Sequence, residues 1–82
     1  MNRLEILESI QLIFHNVFLD ESIEISEQTS PEDIEEWDSL AHVTILTAIE
    51  AELNIQFTAE DMGECMDVRI IIDRVSKRLE ED

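Results

Sequence analysis

The chain has 82 residues, 44% of them hydrophobic, with 21 Asp and Glu against five Lys and Arg, a formal net charge of −16. This length makes one domain, residues 1–82, without room for a deeply enclosed active site, and the charge repels nucleic-acid phosphates and anionic membrane surfaces. Cys65 is the only cysteine, which excludes an internal disulfide, and neither a bilayer-spanning run nor a signal-peptide pattern is visible, so a reducing cytoplasm is the expected setting.

One Gly, one Pro and no Tyr favour helices over strands. The first helix is predicted from Asn2 to Val17 or Phe18. Leu4, Leu7, Ile10, Phe14 and Val17 recur at three- and four-residue spacing, and Ile6 and Ile13 widen that stripe. His15 reads as a surface residue.

From Leu19 to Asp38 the pattern breaks into a long acidic connection, anchored by Ile23, Ile25 and Ile34. Within it, Ser30-Pro31-Glu32-Asp33 reads as a single helical turn. Ser30 is its cap and Pro31 its first residue.

The second long helix is predicted over Ser39–Leu53, with Asp38 as N-cap, Leu40, Val43, Leu46, Ile49 and Leu53 as its apolar stripe, and Asn54 as its stop. Ile55 and Phe57 pin the following link to the core. Thr58 caps a short third helix, with Asp61 in the capping-box position and Gly63 limiting its length. Asp67 caps the last helix, whose inner face is Val68, Ile71, Ile72, Val75 and Leu79, with Arg74, Lys77 and Arg78 towards the negative end of its dipole. The expected fold is all-α: a small four-helix bundle, three longer helices and a short third one, with a long loop between helices 1 and 2.

Ser39 thus stands at a helix start, beside backbone N–H groups that lack intrahelical partners. Serines in such places commonly only cap, so the surrounding residues decide its meaning. Glu36-Trp37-Asp38-Ser39-Leu40-Ala41-His42-Val43, continuing through Ala48-Ile49-Glu50-Ala51-Glu52-Leu53-Asn54-Ile55-Gln56-Phe57, resembles the acyl carrier protein family over nearly the whole chain.

The resemblance implies a carrier rather than an enzyme. In that family a phosphopantetheinyl transferase uses coenzyme A and magnesium to attach 4'-phosphopantetheine to the serine of the Asp-Ser-Leu motif, here Ser39. The arm's thiol then holds acyl groups as thioesters for acyl-loading, condensing or acyl-transfer enzymes that carry basic patches. Partner contact is expected along the second helix at Asp38, Leu40, Ala41, Thr44, Ile45, Thr47, Ala48 and Glu52, on a chain that is monomeric.

Glu36 and Trp37 stand where the fatty-acid branch usually has Gly and a small residue, and Thr44 and Ala51 where it is often acidic. The Trp-Asp-Ser-Leu form looks like stand-alone carriers of specialised pathways, which handle acyl, polyketide or aminoacyl cargo. The expected role is acyl carriage for a fatty-acid, polyketide or other specialised biosynthetic pathway. An aminoacyl or peptidyl carrier, and an unmodified acidic interaction protein, are the competing readings.

Other residues have plainer readings. Trp37 before the cap and His42 four residues into the helix fit a hydrophobic staple, in which the rings stack. A hydrolytic Asp38–Ser39–His42 triad lacks a pocket and an orienting acid. The acidic clusters lack calcium-loop spacing, so they read as solvated faces. Cys65 reads as a packed thiol, flanked by the flexible Met62 and Met66.

Overall fold

The computed structural model describes residues 2–64 and 67–81. It is all-helical: α1 (Arg3–Phe18), α2 (Ser39–Leu53), α3 (Ala59–Glu64) and α4 (Val68–Glu81). The expected architecture is present, including the long α1–α2 loop. The expectations for Cys65 and Met66 lie outside the described residues.

Local side-chain chemistry fixes where most helices start. Asn2 is the cap of α1 rather than its first residue. Its side chain accepts from the Glu5 N–H at 2.9 Å, and the Glu5 carboxylate accepts from the Asn2 N–H at 3.0 Å, a reciprocal capping box. Thr58 and Asp61 repeat the device at α3, at 3.0 Å in both directions. Asp67 caps α4 by accepting from the Ile70 N–H at 2.9 Å.

The ends of α1 and α2 are set by left-handed residues. Asn54 closes α2 at φ 54°, as expected, and Leu19 closes α1 at φ 52°. Asparagine tolerates that conformation, whereas leucine is strained in it. Gly63 lies inside α3 with no positive φ, so it is not a left-handed stop.

The core lies along one face of each long helix. On α1 the buried residues are Ile6, Ile10, Ile13 and Phe14, so Ile6 and Ile13 are the centre of the stripe rather than its margin, and Leu4 is exposed. On α4 Val68, Ile71, Ile72 and Val75 are fully buried, with Leu79 partly so, as the periodicity predicts. Ile55 and Phe57 are buried and pin the α2–α3 link. The backbone N–H of Phe57 also donates to the Glu50 carboxylate at 2.8 Å.

Asp61 does more than cap. It is 1% exposed, and its carboxylate accepts from Arg74 at 2.8 Å and from Arg78 at 2.6 Å. Burial alone would raise its pKa. Hydrogen bonds from Thr58, Arg78 and Arg74 outweigh that and hold it well below the usual carboxylate range. Arg74 and Arg78, expected to serve the α4 dipole, instead clamp α3 onto α4.

The long loop is anchored along its length. Ile25 is buried, and Ile23 and Ile34 pack partly against the core. The Ile25 N–H donates to the Gln11 side chain at 2.9 Å, and His15 Nε2 donates to the Ile23 carbonyl at 2.7 Å. His15 is therefore a half-buried loop tether rather than a plain surface residue.

One turn forms at Ser30–Asp33, closed by the Asp33 N–H on the Ser30 carbonyl at 2.9 Å. It does not continue as helix, and the capping direction is reversed: the Asp33 carboxylate accepts from the Ser30 N–H at 2.9 Å. Just before this turn, the Thr29 carbonyl accepts from the Val68 N–H at 3.0 Å, tying the loop to the start of α4.

Candidate functional site

Ser39 is the first residue of α2 and its side chain is exposed. Asp38 caps the helix from extended backbone, its carboxylate accepting from the Ala41 N–H at 2.8 Å. The N–H groups of Ser39 and Leu40 have no intrahelical acceptor by helix geometry. The serine hydroxyl therefore sits at the partially positive end of a fifteen-residue helix.

Trp37 sets the entry of the chain into that helix. Its indole is 4% exposed and meets Phe14 of α1 edge-on, with centroids 5.1 Å apart at 85°. Phe14 in turn meets Phe18 at 5.7 Å.

On its other side Trp37 reaches His42. The rings are 5.9 Å apart and tilted by 30°, and the indole Nε1–H donates to His42 Nδ1 at 3.1 Å. The expected pairing is present, but a hydrogen bond rather than stacking joins the rings. Burial holds the His42 imidazole below its ordinary pKa, which keeps the acceptor lone pair on Nδ1 at neutral pH.

This geometry does not make a hydrolytic triad. The acceptor nitrogen of His42 is occupied by an uncharged indole, and the Asp38 carboxylate bonds to the Ala41 backbone. The acid–imidazole–hydroxyl relay of such sites is not assembled.

A groove of about 380 Å³ opens beside the serine, lined by Pro31, Trp37, Asp38, Ser39, His42 and Val43. Pro31 comes from the loop and Ser39, His42 and Val43 from α2, so the site joins segments that sequence spacing alone does not bring together.

The proposed contact residues separate into two sets. Asp38, Thr44, Thr47 and Glu52 are exposed, Leu40 is 78% exposed, and Ala41 and Ala48 are half-buried. Ile45 is 0% exposed and belongs to the core with Leu46 and Ile49. Its assignment to the contact surface is corrected: fully buried in the core, it has no surface to offer a partner.

Val43, expected in the core, is instead exposed. Leu40, Val43, Thr44, Thr47 and Ala51 make one exposed ridge at helical spacing. The Thr44 hydroxyl donates back to the Leu40 carbonyl at 3.0 Å, which leaves its methyl group as the outward feature.

No Lys or Arg occurs between Arg3 and Arg69. Arg3 pairs with Glu27 and Asp73, and Arg74 and Arg78 pair with Asp61. The ridge and the serine thus stand in a stretch of chain that contributes no lysine or arginine. Among the described residues, no helix is long and apolar enough to cross a membrane.

No protein-family model and no curated protein matches the chain. Among solved structures it is similar to the solution NMR structure of a holo acyl carrier protein from Geobacter metallireducens. The two are 33% identical, with a TM-score of 0.83 over 92% of this chain and 86% of that one. An all-helical bundle, a capped serine opening its second helix, and this likeness over nearly the full length agree: the chain belongs to the acyl carrier protein family.

Proposed function

We propose that the protein carries acyl intermediates on a 4'-phosphopantetheine arm attached to Ser39. The observation that carries this is the placement of Ser39: exposed, first in α2, with Asp38 engaged on the Ala41 N–H and an apolar groove alongside. The residues fit the group. A phosphodiester on the serine oxygen is favoured by the helix dipole and by the free N–H groups of the first turn, and the groove walls suit the aliphatic part of the arm. When bound, the arm supplies a thiol that holds cargo as a thioester. The chain itself fixes where that thiol is tethered and presents the surface that partners read.

Those partners are a phosphopantetheinyl transferase and acyl-loading, condensing or acyl-transfer enzymes with basic patches. The ridge of Leu40, Val43, Thr44 and Thr47, with Asp38, Ala41, Ala48 and Glu52 around it, offers an apolar centre with an acidic border. Opposite charge on the partner speeds encounter and makes it salt-sensitive. The Trp37-Asp38-Ser39-Leu40 form favours a specialised biosynthetic pathway over standard fatty-acid synthesis.

Intact mass after incubation with coenzyme A, magnesium and a broad-specificity transferase tests the reading. One phosphopantetheine increment is expected on the native chain and none on Ser39→Ala. An increment that persists in Ser39→Ala would refute the site, and no increment on the native chain would refute the carrier role.

A further inference from the structure

His42 has incomplete hydrogen bonding. An indole N–H can only donate, so the 3.1 Å contact from Trp37 makes Nδ1 the acceptor and puts the proton of the neutral ring on Nε2. That Nε2 is buried and has no partner among the described residues. A buried donor left unpaired costs free energy and calls for an explanation. Trp37 is itself wedged against Phe14, so the tautomer and the ring orientation are fixed from the core outwards.

Ser39 and His42 both line the groove, and their three-residue spacing makes them neighbours on one side of α2. Ser39 is exposed and at the edge of the groove, so a chain attached to its oxygen starts beside the groove. At about 380 Å³, the groove has the capacity of a small-molecule site.

We propose that His42 is a tautomer-fixed hydrogen-bond donor to the phosphopantetheine arm, its Nε2–H, closed to solvent in the arm-free chain, taking an oxygen of the arm once the groove wall yields to it, while Pro31, Trp37 and Val43 seat the arm's inner segment. This rests on the reading of Ser39 as the attachment point. The chemistry matches: the phosphodiester and amide carbonyls of the arm are acceptors, and its branched aliphatic segment suits an apolar wall. His42 is in this sense a positioning residue that holds the arm at its root and takes no part in the chemistry of the thiol.

The test uses protein labelled with 15N-histidine, before and after loading with coenzyme A, magnesium and the transferase. Mass spectrometry comes first, because an unloaded chain overturns the attachment reading, and this proposal with it, before His42 is examined. In loaded protein the Nε2 nitrogen of His42 and its proton should shift, and exchange of that proton should slow about tenfold, as for a newly bonded donor. The His15 ring, already bonded to the Ile23 carbonyl, should stay unchanged. His42→Phe keeps the ring and loses the donor; it should still load, but without the proton–proton contacts between the arm's methyl groups and the Trp37 indole. Loaded protein with unaltered His42 signals, or those contacts surviving in His42→Phe, would overturn the proposal and leave Ser39 as the attachment point.

Discussion

The indole of Trp37 meets the ring of Phe14 edge-on at 5.1 Å, and through this contact the residue two positions before Ser39 is fixed to the first helix. Trp37→Ala removes that anchor and should cost about 3–5 kcal/mol, the range for truncating a buried aromatic residue. Urea unfolding followed by circular dichroism would measure it, since Trp37 is the only tryptophan. Trp37→Phe keeps an aromatic ring against Phe14 and loses the N–H and part of the ring volume, so its cost should be smaller, about 1–3 kcal/mol. Equal costs for the two would mean that the aromatic contact is not the anchor.

Asp61 predicts the acid behaviour of the fold. Its folded-state pKa is depressed, so its contribution is fully present above the unfolded carboxylate value near 3.9 and is lost as pH falls below it. Asp61→Asn should cost about 3 kcal/mol at neutral pH, as expected when a largely buried ion pair loses one partner. The gap between native and Asp61→Asn melting temperatures should narrow steadily from pH 5 towards pH 2. A gap independent of pH would show that the charge of Asp61 contributes nothing.

Leu19 holds φ at 52° with its side chain 89% exposed. Leu19→Gly relieves the left-handed strain and gives up almost no buried surface, so it should stabilise the protein by about 1 kcal/mol. In a domain of this size that raises the melting temperature by about 4–8 °C. A lower melting temperature would mean that the exposed leucine is packed in a way its accessibility does not reveal.

Leu40 and Ile45 form a discriminating pair on α2. Leu40→Asp should leave stability within about 0.5 kcal/mol, as for other surface changes, yet slow transferase-catalysed loading about tenfold if the residue is an interface anchor. Ile45→Ala should cost about 2–5 kcal/mol, as for a core truncation, while the folded fraction loads at the native rate. Reversed outcomes would restore Ile45 to the contact surface and remove Leu40 from it.

What could be read from the sequence was mostly local. Caps depend on residues three apart, so Asp38, Thr58, Asp67 and the stop at Asn54 were legible, as was the place of Ser39 at a helix start. The inward faces of α1 and α2 were less legible because both helices carry apolar residues on more than one side. Leu4 competes with Ile6, and Val43 with Ile45, and only packing against the other helices decides between them. The pairing of Asp61 with Arg74 and Arg78, the tether from His15 to Ile23, and the arrival of Pro31 at the groove join residues of separate elements. Spacing along the chain holds no trace of them.

The hydrogen bond from the Val68 N–H to the Thr29 carbonyl gives the second half of the long loop two end moorings, with Ile34 packed against the core between them. One is at the start of α4, and the other, through Trp37, is at the start of α2. A loop held at both ends behaves as a strut. Displacing the first turn of α4 must either break that bond or pull on the segment that leads to Trp37, so the platform beneath Ser39 is mechanically joined to the start of α4.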